Sequence, residues 1–385
     1  MWDVLPSEIF WGILSHVPIE PLLRFRCVCT GWRQIIDDPT FIRSHLQCQA
    51  GRERVMIRTA LGRKLYTFSL EALSNDFESE TIIWAKPLKT LTRHGVSCIP
   101  DLPVATCNGL ILIYSEEKAW SLLNPFTRKS IELPPCDDDI THSRSLLCGG
   151  LGYDRTTDDY KVVRIMQFYD RNNGYFVLET SIYSLKLGYW RRIEEFPNCS
   201  IHWQSRHGIF VNGALHWMSY VKRRGQEKGW MAMMIALDLG TENYRLLPLP
   251  LTSLPFFTDL SVVDGCLFLS CIYSEFRCDG WMMKDYSSCG GIINSSWTKL
   301  FSFTPQSETV KGEVRFIAYL KNKGQVLIQH SDNELFWLDI EKKSAKRVKI
   351  RGDFKYFTSQ AFPATLVRLN DNGRGVMGII VNQHK

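Results

Sequence analysis

The side chains best equipped for chemistry are few and scattered along the chain. Asp137, Asp138 and Asp139 with His142 bring three carboxylates and an imidazole close together, a donor set that suits a divalent cation. They follow Pro134-Pro135, and the stretch reads as a solvated acidic loop. Asp158-Asp159 reads as a hairpin turn, because Asp tolerates turn geometry. His216, beside Trp217, reads as a structural histidine on a strand. Cys27 and Cys29 lack the C-x-x-C spacing. Cys266, Cys271, Cys278 and Cys289 lie near one another, but no matching His or Cys group completes a zinc pattern. No Gly-rich phosphate loop, G-x-S-x-G elbow or H-E-x-x-H helix occurs. The chain therefore reads as non-catalytic, with no metal and no cofactor, and its work as binding.

The 385 residues suit a large domain plus a small module, and 45% hydrophobic content argues for a packed core rather than disorder. The 12 Trp, 14 Tyr and 21 Phe favour strands, since aromatic rings fit a pleated, half-buried surface. Net charge is +6, with acids and bases interleaved. The basic runs Lys222-Arg223-Arg224 and 342–351 read as solvated loops or charged strand edges rather than nuclear-import or nucleic-acid patches. The 12 cysteines follow no regular spacing and read as buried, reduced thiols. Asp3 and Glu8 interrupt the region where a secretory signal needs positive charge followed by an apolar run. No run approaches the ~18–20 apolar residues of a membrane span. A cytoplasmic or nuclear protein is expected, without nucleic-acid or membrane partners, so the sequons at Asn198 and Asn294 would go unmodified.

The elements that must position a binding surface fall into two kinds. In the first 46 residues, Leu5, Ile9, Ile13, Leu14 and Val17 recur at three- and four-residue steps, the spacing of one helix face. Pro6 suits a first helical turn, Pro18 ends the helix, and Pro21 opens a second through Leu22, Leu23, Phe25 and Val28. A third spans Trp32, Ile35 and Ile36. Asp38-Pro39 breaks the chain before a short last helix with Phe41, Ile42 and Leu46. So small a unit is marginal alone and has apolar side chains to spare for a partner.

From about residue 51 the helical period gives way to short apolar strands and turns. Cys107-Asn108-Gly109-Leu110, Val211-Asn212-Gly213-Ala214, Val263-Asp264-Gly265-Cys266 and Asn322-Lys323-Gly324-Gln325 repeat one turn-then-strand phrase, and Asp158-Asp159-Tyr160-Lys161 fills the gap between the first two. A second strand pair follows each, as at 121–125, 182–190, 236–244, 281–297 and 336–339. Four strands in roughly 50 residues is the unit of a β-propeller blade. With 55–70 counted in, about six blades result, and the strand expected to close the ring is 365–369. A β-sandwich is the alternative.

The N-terminal phrases Leu5-Pro6-Ser7-Glu8-Ile9, Ile13-Leu14, Val17-Pro18, Leu22-Leu23-Arg24, Val28-Cys29, Gly31-Trp32 and Pro39-Thr40-Phe41 resemble an F-box; Thr30-Gly31 departs from it, where a basic residue often precedes the Trp. Leu123-Asn124-Pro125-Phe126-Thr127-Arg128 with Leu133-Pro134, Gly152-Tyr153-Asp154, Val211 to Trp217 and Trp281-Met282-Met283 with Trp297 resemble the F-box-associated, kelch-like domain of plant F-box proteins. The resemblance implies a small all-α F-box (1–46), a linker (47–54), a large all-β propeller-like domain (55–370) and a C-terminal tail (371–385). It implies the substrate-recognition subunit of an SCF ubiquitin ligase, bound to a Skp1-type adaptor and through it to a cullin-1 scaffold, holding a protein substrate. Carried over by position, the adaptor-binding residues are Leu5, Pro6, Ile9, Ile13, Leu14, Pro18, Leu22 and Val28. The bland alternative for Ile9, Ile13 and Trp32 is that they are the module's own core. S-locus receptors for self-incompatibility ribonucleases and cullin-independent scaffolds would carry the same phrases. Substrate-binding residues are not named by any motif; the inter-blade loops 136–147, 220–229 and 273–280 are the candidates.

Overall fold

The computed structural model describes residues 7–49, 53–59, 65–70, 81–83, 85–88, 104–114, 119–136, 146–170, 175–193, 199–223, 229–251, 255–273, 277–284, 296–304, 314–320, 324–331, 334–342, 344–351, 354 and 356–369. Leu5, Pro6, 137–142, Cys289 and the tail expected at 371–385 lie outside them.

Four short helices come first: α1 (Ser7–Ser15), α2 (Ile19–Phe25), α3 (Thr30–Asp37) and α4 (Pro39–Cys48). Asp38 starts α4 by accepting from the N–H groups of Thr40 (2.7 Å) and Phe41 (3.2 Å), with Pro39 at the first position where its missing N–H costs nothing. Pro21 falls in the first turn of α2, which opens at Ile19, two residues before the proline.

The rest is β. The strands are β1 (Glu53–Thr59), β2 (Leu65–Ser69), β3 (Thr81–Ile83), β4 (Lys86–Leu88), β5 (Val104–Cys107), β6 (Leu110–Tyr114), β7 (Trp120–Asn124), β8 (Lys129–Glu132), β9 (Leu146–Asp154), β10 (Asp159–Asp170), β11 (Tyr175–Ser184), β12 (Tyr189–Arg192), β13 (Cys199–Trp203), β14 (His207–Val211), β15 (Ala214–Arg223), β16 (Met231–Asp238), β17 (Tyr244–Pro248), β18 (Phe257–Val263), β19 (Cys266–Ile272), β20 (Cys278–Met283), β21 (Trp297–Phe303), β22 (Val314–Leu320), β23 (Gln325–His330), β24 (Glu334–Asp339), β25 (Ser344–Ile350) and β26 (Phe357–Pro363). They group as antiparallel meanders: β5 to β8, β9 to β12, β14 to β17, β18 to β21, β22 to β25, and β26-β1-β2-β4. β13 extends the line of β14 along β15, and a short parallel contact links β9 to β14. Sheets of this kind, packed face to face around a central channel, form a β-propeller.

The turn phrase read in the sequence is a backbone requirement. Asn108 and Gly109 have φ of 48° and 76°, Asn212 and Gly213 49° and 81°, and Asp264 and Gly265 51° and 72°. Both central residues of each hairpin are left-handed, the conformation that Asn-Gly and Asp-Gly adopt most readily. At Gly109 space is as tight as conformation. A Cβ there would sit 2.6 Å from the Pro363 carbonyl oxygen and against the Thr365 methyl. Gly109→Ala is expected to destabilise the fold by more than about 1 kcal/mol, well beyond its effect at an open left-handed turn such as Gly265, where nothing lies within 4 Å. Paired urea denaturation of the two variants measures the difference.

Recurring contacts join neighbouring meanders. Trp190 of β12 donates from Nε1 to the Pro134 carbonyl (2.8 Å), and Trp297 of β21 donates likewise to Pro248 (3.2 Å). Each Trp thus caps a Leu-Pro step that ends the preceding meander. Lys161 of β10 reaches Asp154 (2.8 Å), Glu242 (3.1 Å) and the Leu239 carbonyl (2.7 Å), tying β9 and β10 to the turn between β16 and β17.

Ring closure differs from expectation. β26, not 365–369, pairs antiparallel with β1 along its whole length. Segment 364–369 is a strap without strand pairing that lies between the helices and the β5–β8 meander. Leu366 is buried in the helical core beside Leu14, Ile19, Leu22, Ile36 and Phe41, while Val367 and Leu369 pack into the core shared by the β5–β8 and β9–β12 meanders. Its apolar run is buried from two sides, which satisfies burial without a neighbouring strand.

His216 is fully buried on β15, its Nδ1 3.1 Å from the Ile209 carbonyl oxygen. Burial pushes its pKa down from 6.5 to about 4, against a smaller raising effect of that carbonyl. Between those two pH values the unfolded chain binds a proton that the folded chain refuses, so stability falls as pH is lowered through the window. The loss amounts to about 3 kcal/mol for this group. The melting temperature is expected to drop from pH 7 to pH 5, and to drop less in a His216→Gln variant.

Candidate functional site

The helical module spends its inward side chains on its own packing. Leu14 and Leu22 are buried among Ile19, Ile36, Phe41 and Leu366. His45 Nε2 lies 2.9 Å from the Val17 carbonyl, and Gln49 donates to the Ser15 carbonyl at 3.2 Å, holding α4 against the end of α1. Trp32 is half-buried between Phe10 (5.2 Å) and Phe25 (5.1 Å), both edge-on.

Other apolar side chains are left outside. Ile9 is 52% exposed, Ile13 54% and Val28 60%. Ile9 and Ile13 stand one turn apart on α1 and so share a face. Pro18, at the α1–α2 corner, is exposed as well. The eight residues picked out in the sequence therefore divide. Ile9, Ile13, Pro18 and Val28 are on the surface, Leu14 and Leu22 are inside, and Leu5 and Pro6 lie outside the described residues. Contact with a partner through Leu14 or Leu22 would require the module to open. Periodicity could not make this division, because inward and outward apolar residues share one helical spacing.

The module is fixed to the β domain rather than tethered to it. Besides Leu366, Arg54 of β1 pairs with Glu20 of α2 at 2.8 Å and lies over the Phe126 ring. Arg368 of the strap pairs with Asp37, which also holds Arg26 at 2.6 Å. Arg43 of α4 faces Asp158 in the β9–β10 turn at 3.7 Å. Asn124, buried at the end of β7, ties the strap down: its Nδ2 donates to the carbonyls of Thr365 (3.1 Å) and Val367 (2.6 Å), and its Oδ1 accepts from the N–H groups of Phe126 (2.9 Å) and Thr127 (3.3 Å). No sequence signal assigned Asn124 this role beyond the Asn-Pro phrase itself.

A second feature is a channel of ≈ 900 Å³ along the axis of the β domain, with Leu46 of α4 and Gln49 just after it among its lining. Among the described residues, no three His, Cys, Asp or Glu side chains gather as a metal site. Burial pushes the thiols of Cys271 and Cys278 up to about 12, which keeps them protonated at neutral pH. No described helix is long and apolar enough to cross a membrane.

An F-box domain model matches residues 2–44, and a model described as an F-box associated beta propeller domain matches residues 72–366. The chain belongs to the F-box proteins with an associated β-propeller domain. It is similar to F-box protein CPR1 of Arabidopsis thaliana, at 30% identity over 94% of this chain and 88% of that one. F-box/kelch-repeat protein At3g23880 of the same plant is 27% identical, over 80% of this chain and 81% of its own. F-box protein At4g22390, also of that plant, is 28% identical over 94% and 90%. In these terms the helices are the F-box, the meanders the propeller, and the strap is what locks one to the other.

Proposed function

We propose that this F-box protein is the substrate-receptor subunit of an SCF ubiquitin ligase, with its exposed F-box side chains seated on a Skp1-type adaptor and its propeller holding the target. The observation that carries the reading is the surplus of apolar surface on a module already fully packed inside: Ile9, Ile13 and Val28 have no internal work to do. Exposed apolar groups on so small a unit mark a partner site. Pro18 and, by position, Leu5 and Pro6 belong to the same docking face. A cullin-1 scaffold is then engaged only through the adaptor.

The mechanism is positional, and the chain contributes no catalytic group. Target lysines held beside the conjugating enzyme experience a raised effective concentration of activated ubiquitin. The strap, the Arg54–Glu20 and Arg368–Asp37 pairs and the packing of Leu366 support this reading, because a rigid joint fixes the distance between adaptor and target. The division into F-box (1–46), linker (47–54) and propeller (55–370) goes with it, as does action in the cytoplasm or nucleus. Purified chain mixed with a Skp1-type adaptor should co-elute on size exclusion, and a Leu5→Ala/Pro6→Ala variant should elute apart. Separate elution of the intact, folded chain would remove the ligase reading.

A further inference from the structure

The joint between the helices and the strap gathers more positive charge than it neutralises. Side chains of the strap alternate. Val367 and Leu369 pack into the propeller, while Leu366 and Arg368 turn to the F-box. Arg368 meets Asp37, the last residue of α3. Asp37 is already held by Arg26, just past the end of α2, through a fork of two bonds at 2.6 and 3.0 Å. Arg33, one turn earlier on α3, reaches the same carboxylate at 3.6 Å. Three guanidinium groups on one carboxylate leave a surplus of two positive charges.

Neighbouring acids do not make up the difference. Asp38 caps α4 through the N–H groups of Thr40 and Phe41. Glu20 is taken by Arg54 at 2.8 Å. Among the described residues, the three arginines pair with no acid but Asp37. The sequence beyond Leu369 carries one acid, Asp371, against Arg374 and Lys385, and so brings no excess of negative charge. The crowding tells on Arg368. Burial pulls its pKa down from 12.5 to about 10, and the charges of Arg26 and Arg33 add to the fall, yet it remains a cation at neutral pH. Solvent reaches all three side chains, since Arg33 is 64% exposed, Arg26 30% and Arg368 26%. Each guanidinium has five N–H donors, and Asp37 occupies a minority of the set.

We propose that Arg26, Arg33 and Arg368 form a site for a small, doubly charged anion of the phosphate type, which bridges the F-box to the strap and locks the joint. The charges match: a phosphate group carries about −1.5 to −2 near neutral pH and presents three acceptor oxygens. Guanidinium forks bind such oxygens in pairs. A single carboxylate brings half the charge and two oxygens, so it leaves part of the cluster uncompensated. The site serves the joint itself and holds whether or not the chain meets an adaptor.

The test titrates pyrophosphate calorimetrically into the full chain at constant ionic strength, with acetate as the monocarboxylate control. One saturable site per chain is expected, at least about tenfold tighter for pyrophosphate than for acetate, with affinity that falls as salt rises. The bound anion should also raise the melting temperature and slow proteolysis between α4 and β1, as a ligand of the closed joint must. Arg33→Gln should weaken binding by about tenfold or more, and Arg368→Gln likewise. Arg33→Lys, which keeps the charge but loses the fork, should fall between, and Arg347→Gln, on β25, should bind as the unchanged chain does. No saturable binding would mean that acids of the chain itself fill the cluster, and would overturn the proposal. Equal affinity for the two anions, or an unchanged affinity in Arg33→Gln, would do the same. So would a loss in Arg315→Gln with Arg33→Gln unaffected, since Arg315 lines the channel and the anion would then sit there. If Arg368→Gln does not fold, Arg33→Gln decides, because the mostly exposed Arg33 can be replaced with little disturbance to packing.

Discussion

A chain carrying Ile9→Asp and Ile13→Asp is expected to lose adaptor binding by at least about a hundredfold while melting within a degree or two of the unchanged protein. Both side chains are more than half exposed and share a face of α1, so replacing them disturbs little internal packing; surface changes of this kind usually stay within about 0.5 kcal/mol of neutral. In a docked complex the same two positions would be buried. Fully burying an isoleucine contributes about 1.5–3 kcal/mol, and with half of each side chain already covered the two together gain about 1.5–3 kcal/mol on docking. That corresponds to roughly tenfold to 150-fold in affinity, and desolvating the two new carboxylates costs several kcal/mol more, which takes the loss past about a hundredfold. Calorimetric titration against the adaptor, with a melting curve of the same sample, reads both halves. Leu14→Asp is the contrast: its site is buried, so it should unfold the module as well as abolish binding. Undiminished adaptor affinity in the Ile9/Ile13 variant would place the docking face elsewhere.

Asn124→Ala is expected to be among the most damaging single changes in the propeller, by about 3 kcal/mol or more. One buried side chain serves four backbone groups, two carbonyls of the strap and two N–H groups of its own turn. Each buried group left without its partner costs about 1–3 kcal/mol. The damage should not stay local. The strap carries Leu366 into the F-box core and Arg368 to Asp37, so loosening it frees the module from the propeller. Limited proteolysis is therefore expected to cut between α4 and β1 faster in the variant, alongside the drop in urea midpoint. Asn124→Asp isolates the strap bonds, since it keeps the two acceptor bonds of the turn and loses both donors. If Asn124→Ala stayed within about 0.5 kcal/mol of the unchanged protein, the strap would not be what joins the two parts.

Much of this architecture was legible because a few residues have narrow backbone demands. Asn108-Gly109, Asn212-Gly213 and Asp264-Gly265 announce left-handed turns wherever they occur, and in the structure each closes the inner hairpin of a meander. Pro18, Asp38 and Pro39 mark helix ends for equally local reasons. What failed needed information about partners. The apolar run Leu366-Val367-Arg368-Leu369 looked like a closing strand, and Phe357–Pro363, with Thr358, Ser359 and Gln360, was not singled out. The closing strand is polar because part of it lines the channel, and the strap is apolar because it is covered by helices on one side and the propeller on the other. Hydrophobic pattern reports burial and not which backbone lies alongside. The same limit hid the split between Ile13, outside, and its neighbour Leu14, inside. The arginine cluster was invisible for a different reason. Arg368 is far along the chain from Arg26 and Arg33, and only the return of the strap to the helices brings all three to Asp37.

The central claim is that this chain joins a ligase scaffold to a target through an adaptor, and retention of the scaffold tests it most directly. Immobilised full-length chain is offered purified cullin scaffold alone, Skp1-type adaptor alone, and the two together. The account predicts that the adaptor is retained in both mixtures that contain it and the scaffold only in its company, with both lost from the Ile9→Asp/Ile13→Asp chain. Scaffold retained without adaptor, or not retained with it, would contradict the account.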